Sequence, residues 1–114
     1  MALASDVLDR ARNLLNDNNK LRWTDAQLLQ LASDGQRIIV RAKNNADTQN
    51  TIVKTQPPDL TALGDTVRIR DPYLQTLAFY VAWMALEDDQ DDGSANMAEI
   101  YKNNFIQQIG VEFL

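Results

Sequence analysis

The chain contains no histidine and no cysteine among its 114 residues. That excludes zinc sites built on imidazole or thiolate, Cys-His and Ser-His nucleophilic chemistry, disulfide scaffolding and thiol redox work. Imidazole is the commonest general base near neutral pH, so the expectation is a protein that is not an enzyme and needs no cofactor. Long apolar runs are also missing. The longest, Leu77 to Leu86, is ten residues, against about 20 for a bilayer span. No Gly-rich phosphate loop, nucleophile elbow or aromatic-basic interleaving occurs. The opening Met1-Ala2-Leu3-Ala4-Ser5-Asp6 has no basic region followed by an apolar stretch, so neither secretion nor membrane association is expected.

What is present is ordinary globular composition, 45% hydrophobic and 24% charged, at a length that supports one core. The net charge of −5 argues against a freestanding nucleic-acid binder. Its distribution is uneven. Residues 1–57 hold eight basic and six acidic side chains, and residues 58–114 hold three and ten. Opposite-signed halves suit head-to-tail docking between copies, positive surface against negative.

Periodicity predicts four helices in a single domain over residues 1–110, followed by an extended tail over 111–114. Ser5 is placed to cap a first helix to about Asn16, with Val7, Leu8, Ala11, Leu14 and Leu15 on one stripe. Asp6 with Arg10 and Asp9 with Arg12 are spaced to pair on its outer side. In the second, Thr24 and Gln27 make a capping box and Trp23 a staple onto Leu28. Leu28, Leu31, Ala32, Ile38, Ile39 and Ala42 form its apolar face. Gly35 implies close approach of another backbone, and the helix should stop near Asn44-Asn45.

Residues 46–70 read as an arm. Thr51–Thr55 and Thr66–Arg70 are β-branched runs, and the second alternates Val67 and Ile69 against Arg68 and Arg70, which predicts a two-stranded, hairpin-like pairing. Asp71-Pro72 starts the third helix as N-cap and first helical residue. Tyr73 to Leu86 has two polar residues, Gln75 and Thr76. A helix apolar all round is buried all round. With Phe79, Tyr80 and Trp83 each carrying roughly 150–250 Å², the expectation is that three neighbours leave part of it for an oligomer to cover. Gly93-Ser94 opens the fourth helix, with Met97, Ala98, Tyr101, Phe105 and Ile109 inward and Gly110 at the stop.

One motif imitates metal chemistry. With Asp88 as position one, Asp92 falls at five, Gly93 at six and Glu99 at twelve of a calcium loop, and Gln90 breaks the pattern at three. The acidic run is also explained as negative charge at a helix N-terminus. A calcium-binding helix-loop-helix with Asp88, Asp92 and Glu99 as ligands is thus the alternative reading. Ala95 stands at position eight, where a larger apolar residue is expected to anchor such a loop, and Ser94 or Asn96 as a helix cap argues for a helix start too early to leave room for it.

The whole-chain pattern resembles the head-to-tail adaptor (head-tail connector) proteins of tailed bacteriophages. The first half carries it in Asp6-Val7-Leu8-Asp9-Arg10-Ala11, Leu15-Asn16-Asp17, Arg22 to Leu29 and Asp34 to Val40. The second half carries it in Pro57-Pro58-Asp59-Leu60, Val67 to Ile69, Asp71, Tyr73, Leu77, Tyr80-Val81, Ala85-Leu86, Asp88, Ala98, Tyr101, Phe105 and Gly110. Longer members have a β-rich insertion between the helical pairs, where this chain has only residues 46–70, so roles of that insertion do not carry over.

The resemblance implies a non-enzymatic structural protein of the virion neck, at the head-tail junction, assembled in the host cytoplasm. Copies would form a homo-oligomeric ring beneath the portal protein, twelvefold to match that vertex. The ring would receive a tail or nozzle protein and let DNA pass during ejection through its lumen without specific binding. On that reading Val111, Phe113 and Leu114 dock on the portal. Arg37, Arg41 and Lys43 meet the acidic run Asp88, Asp89, Asp91 and Asp92 of a neighbouring copy.

Overall fold

The computed structural model describes residues 2–16, 23–42, 57, 59–87 and 92–109. Its elements are α1 (Ala4–Leu15), α2 (Asp25–Ala42), α3 (Leu74–Glu87) and α4 (Asp92–Ile109), with a 3-10 turn over Asp71–Tyr73 leading into α3. The class is all-α, as the periodicity predicts. α1, α2 and α4 all pack on α3.

α3 takes the centre because it has no polar face to give to water. Leu77, Ala78, Val81 and Ala82 are 0% exposed. Three neighbours cover most of this helix and leave part of it uncovered, as expected. Of its large side chains, Tyr80 and Leu86 are buried, and Phe79, Trp83 and Met84 are half-buried against the core. Phe105 of α4 meets Tyr80 at 5.2 Å and Trp83 at 5.9 Å between ring centroids, and Phe79 stacks on Tyr101 at 6.0 Å. Such pairs add about 0.5–1.5 kcal/mol each beyond burial.

The start of α2 follows its sequence signal. The Gln27 N–H donates to Thr24 Oγ1 at 3.1 Å, and the Thr24 N–H donates to Gln27 Oε1 at 2.9 Å, a closed capping box. The buried face is broader than expected. Leu28, Ala32 and Ile39 lie in it, joined by Leu29, Ser33, Gly35, Gln36 and Val40, while Leu31, Ile38 and Ala42 are only partly buried. Gly35 does mark a close approach, but of side chains: a Cβ there would lie 2.6 Å from both Leu77 Cδ1 and Tyr80 Cδ1.

α1 departs from expectation at its start. Ser5 is not its N-cap; the cap position is Leu3, which has no side-chain acceptor. The free N–H groups of the first turn are met from elsewhere. Ala4 N–H donates to Asp65 O at 2.7 Å, and Ser5 N–H to Leu63 O at 3.0 Å. The Asp6 carboxylate in turn accepts from Leu3 N–H at 3.0 Å. Arg12 also departs: it turns inward, 2% exposed, to the Trp23 carbonyl at 3.1 Å and Asp25 Oδ1 at 2.8 Å. Arg10 donates to Gln75 at 2.9 Å.

The two-stranded arm is not supported. Thr51–Thr55 lies outside the described residues, and among those described there is no strand: Leu3 and Thr66 form an isolated antiparallel bridge, and Ile69 is a second bridge position. Residues 59–70 instead form an irregular strap. Leu60, Val67 and Ile69 are buried by 94% or more, each stabilising by about 1.5–3 kcal/mol. A net hydrogen bond contributes about 0.5–1.5 kcal/mol, so burial seats the strap and hydrogen bonds set its register. Its turn is closed by Asp65, whose Oδ2 accepts from Thr61 N–H at 2.8 Å and Ala62 N–H at 3.0 Å. Arg68, expected outward, is 8% exposed, while Arg70 is exposed. At α3 the Asp71-Pro72 pair starts a 3-10 turn, and the α-helix proper begins at Leu74.

Two outcomes are expected. Gly35→Ala should lower stability by about 1–2 kcal/mol in urea unfolding, because overpacking costs about 1–3 kcal/mol and helix propensity returns at most about 1. The backbone N–H groups of Thr61 and Ala62 hold the Asp65 carboxyl below its ordinary value of 3.8. Its contribution is therefore complete above that value and is lost as pH falls through the lowered one. The stability advantage of wild type over Asp65→Asn should stay constant near neutrality and narrow in acid, measured by urea unfolding across pH.

Candidate interaction surfaces

The basic end of α2 divides. Arg37, one turn before Arg41, is engaged by its own chain. Its Nε donates to the Pro57 carbonyl at 3.2 Å, and its guanidinium pairs with Asp59 and, at 3.5 Å, with Asp34. Arg41 is exposed in the last turn and makes no ion pair among the described residues. Lys43, Asp88, Asp89 and Asp91 lie outside the described residues, as do Val111, Phe113 and Leu114.

Asp92 opens α4. That start puts positions five to twelve of the calcium template into a helix, where Glu99 stands seven residues on and about 10 Å further along the axis. A twelve-residue calcium loop needs most of those residues to wrap the ion. Among the described residues no group of three acidic side chains converges to hold a metal.

Two surfaces went unnoticed in the sequence. The first is an open groove of about 420 Å³ beside the start of α1, lined by Ala2, Asp6, Asp9, Arg10, Asp71 and Leu74. It joins acidic residues from α1 and from the turn before α3, so no local pattern announces it. The second is the outer face of α4. Met97, expected inward, is 40% exposed and Ile100 is 51% exposed. The inner stripe is Ala98, Tyr101, Phe105 and Ile109, and Met97 falls just off it. Among the described side chains Asn96, Asn103 and Gln107 complete the outer face and Glu99 is its one fully exposed charge, Lys102 being half-buried beside Trp83. Depletion of charge around exposed Met and Ile is the composition of a protein-protein contact.

Two of the buried hydroxyls, those of Ser33 and Tyr101, serve the backbone. Ser33 donates to Leu29 O at 2.9 Å and accepts from Leu60 N–H at 2.8 Å. Tyr101 donates to Leu14 O at 2.7 Å. Burial raises the Tyr101 hydroxyl above its ordinary pKa, and burial followed by the nearby Asp34 charge raises that of Tyr80. Thr76 is hydrogen-bonded to Gln108, tying α3 to α4.

Compared with known proteins, the chain matches no family model, no curated protein and no solved structure. No described helix is long and apolar enough to cross a membrane.

Calorimetric titration with Ca²⁺ is expected to show no micromolar site, with Glu99→Gln behaving as wild type. Saturable binding that disappears in Glu99→Gln would restore the calcium reading.

Proposed function

We propose that this chain is a structural subunit of the head-to-tail adaptor kind, built into a ring under a phage portal. The observation that carries the reading is the ordered resemblance to that family, which runs from Asp6 to Gly110 through all four helices. The charge-poor outer face of α4, with Met97 and Ile100 exposed, supports it, since a ring subunit needs surface for its neighbours.

In this proposal the ring stands in the virion neck, passes DNA through its lumen and receives the tail or nozzle protein. Fixed negative charge in the chain suits a channel that must not hold phosphate. Val111, Phe113 and Leu114 dock on the portal. Arg41 and Lys43 face the acidic run Asp88–Asp92 of the neighbouring copy. Arg37 contributes less, because Asp34 and Asp59 already occupy it.

Purified protein mixed with portal rings should form a ring-on-ring complex in electron micrographs. Deleting residues 111–114 should abolish that complex while the thermal unfolding curve keeps its midpoint. A full-length chain that stays monomeric and ignores portals removes the proposal; a truncated chain that still docks removes the role of the tail.

A further inference from the structure

The strap over residues 59–70 touches two helices in different ways. On α2 it is held near its start by Ser33, which is 0% exposed and accepts from Leu60 N–H. It is held again by the buried Gln36, whose Oε1 accepts from Arg68 N–H at 3.3 Å. On α1 it is the supplier: the carbonyls of Asp65 and Leu63 cap the Ala4 and Ser5 N–H groups, and Ala2 O accepts from Val67 N–H at 3.1 Å. Leu3 at the cap position has no oxygen in its side chain, so the first turn of α1 has no side-chain acceptor there to replace these carbonyls.

We infer that the strap and the first turn of α1 open and close as one unit, so that lifting the strap from α2 uncaps α1. The strap shares the hydrophobic core through Leu60, Val67 and Ile69, but it stands apart from the ring contacts that hold α3 to α4. The aromatic cluster that joins α3 to α4 consists of residues 79, 80, 83, 101 and 105 and includes none from the strap. Opening starts at the outer end, where Arg37 meets Asp59 and Asp34, whose side chains are 54% and 45% exposed. Exposed pairs of this kind are weak and screened by salt. The device links two surfaces: contact at the Arg37 end of α2 reaches the groove beside Ala2 and Asp6 through the strap. It stands independently of the adaptor reading.

Native-state hydrogen exchange of the full chain, followed residue by residue by NMR in rising denaturant, tests it. The amides of Ala4, Ser5, Leu60 and Val67 should share one opening free energy and one shallow denaturant slope, apart from the steep slope of Leu77 and Val81. Ser33→Ala has no direct contact with the α1 cap, yet it should raise exchange of all four by a common factor of about tenfold, the size expected from stranding a buried N–H. If Ala4 and Ser5 keep their wild-type rates in Ser33→Ala, or follow the steep slope of α3, the inference is overturned.

Discussion

A helix without a polar face has to be enclosed, and the arrangement of this molecule follows from enclosing α3. Each of the other helices presents a stripe to it, and each stripe ends where water begins. Gly35 is the tightest point. Its missing Cβ lets the Leu77 and Tyr80 side chains lie against the α2 backbone, which brings the two helices closer than any larger residue allows. On the other side Phe105, 0% exposed, fills the space between Tyr80 and Trp83. Removing either fit would leave a clash or a void beside the helix that tolerates neither.

The strap solves a second problem, that of backbone groups carried under cover without regular structure. Buried N–H groups need acceptors, and a segment with Pro57 and Pro58 before it meets few of them in a ladder: among the described residues Val67 N–H finds Ala2 O beside the Leu3–Thr66 bridge. Here α2 provides them through Ser33 and Gln36, one turn apart, while the strap returns carbonyls to α1. The exchange makes the start of α1 dependent on residues about 60 positions away in the chain. It also gives Arg37 an internal occupation. A cation that looked free for a neighbouring copy instead closes the outer end of a loop.

Local signals were the legible part of the fold. The Thr24–Gln27 capping box is an interaction three residues long, and the structure closes it. The 3.6-residue spacing placed all four helices and most of their inner faces. Signals failed where a residue had two possible partners. Arg12 was spaced for Asp9 but turned to Asp25 and the Trp23 carbonyl, because a buried guanidinium gains more from a partner shielded from water. Met97 looked apolar and therefore internal, yet the stripe led by Ala98 had already filled the available contact. Of the candidate interaction residues, Arg41 is exposed, Arg37 is engaged, and the tail and most of the acidic run fall outside the described residues.

By its own composition the chain settled that imidazole and thiol chemistry are absent, that four helices form, and that the third must lie innermost, since each of these depends on residue type or on spacing within a few turns. How broad a face of α2 is buried, what caps α1, and where Val67 and Ile69 go were decided by tertiary packing. Those outcomes depend on distances between residues remote in sequence, and a free energy of only a few kcal/mol separates a strand paired with its neighbour from a strap laid across two helices.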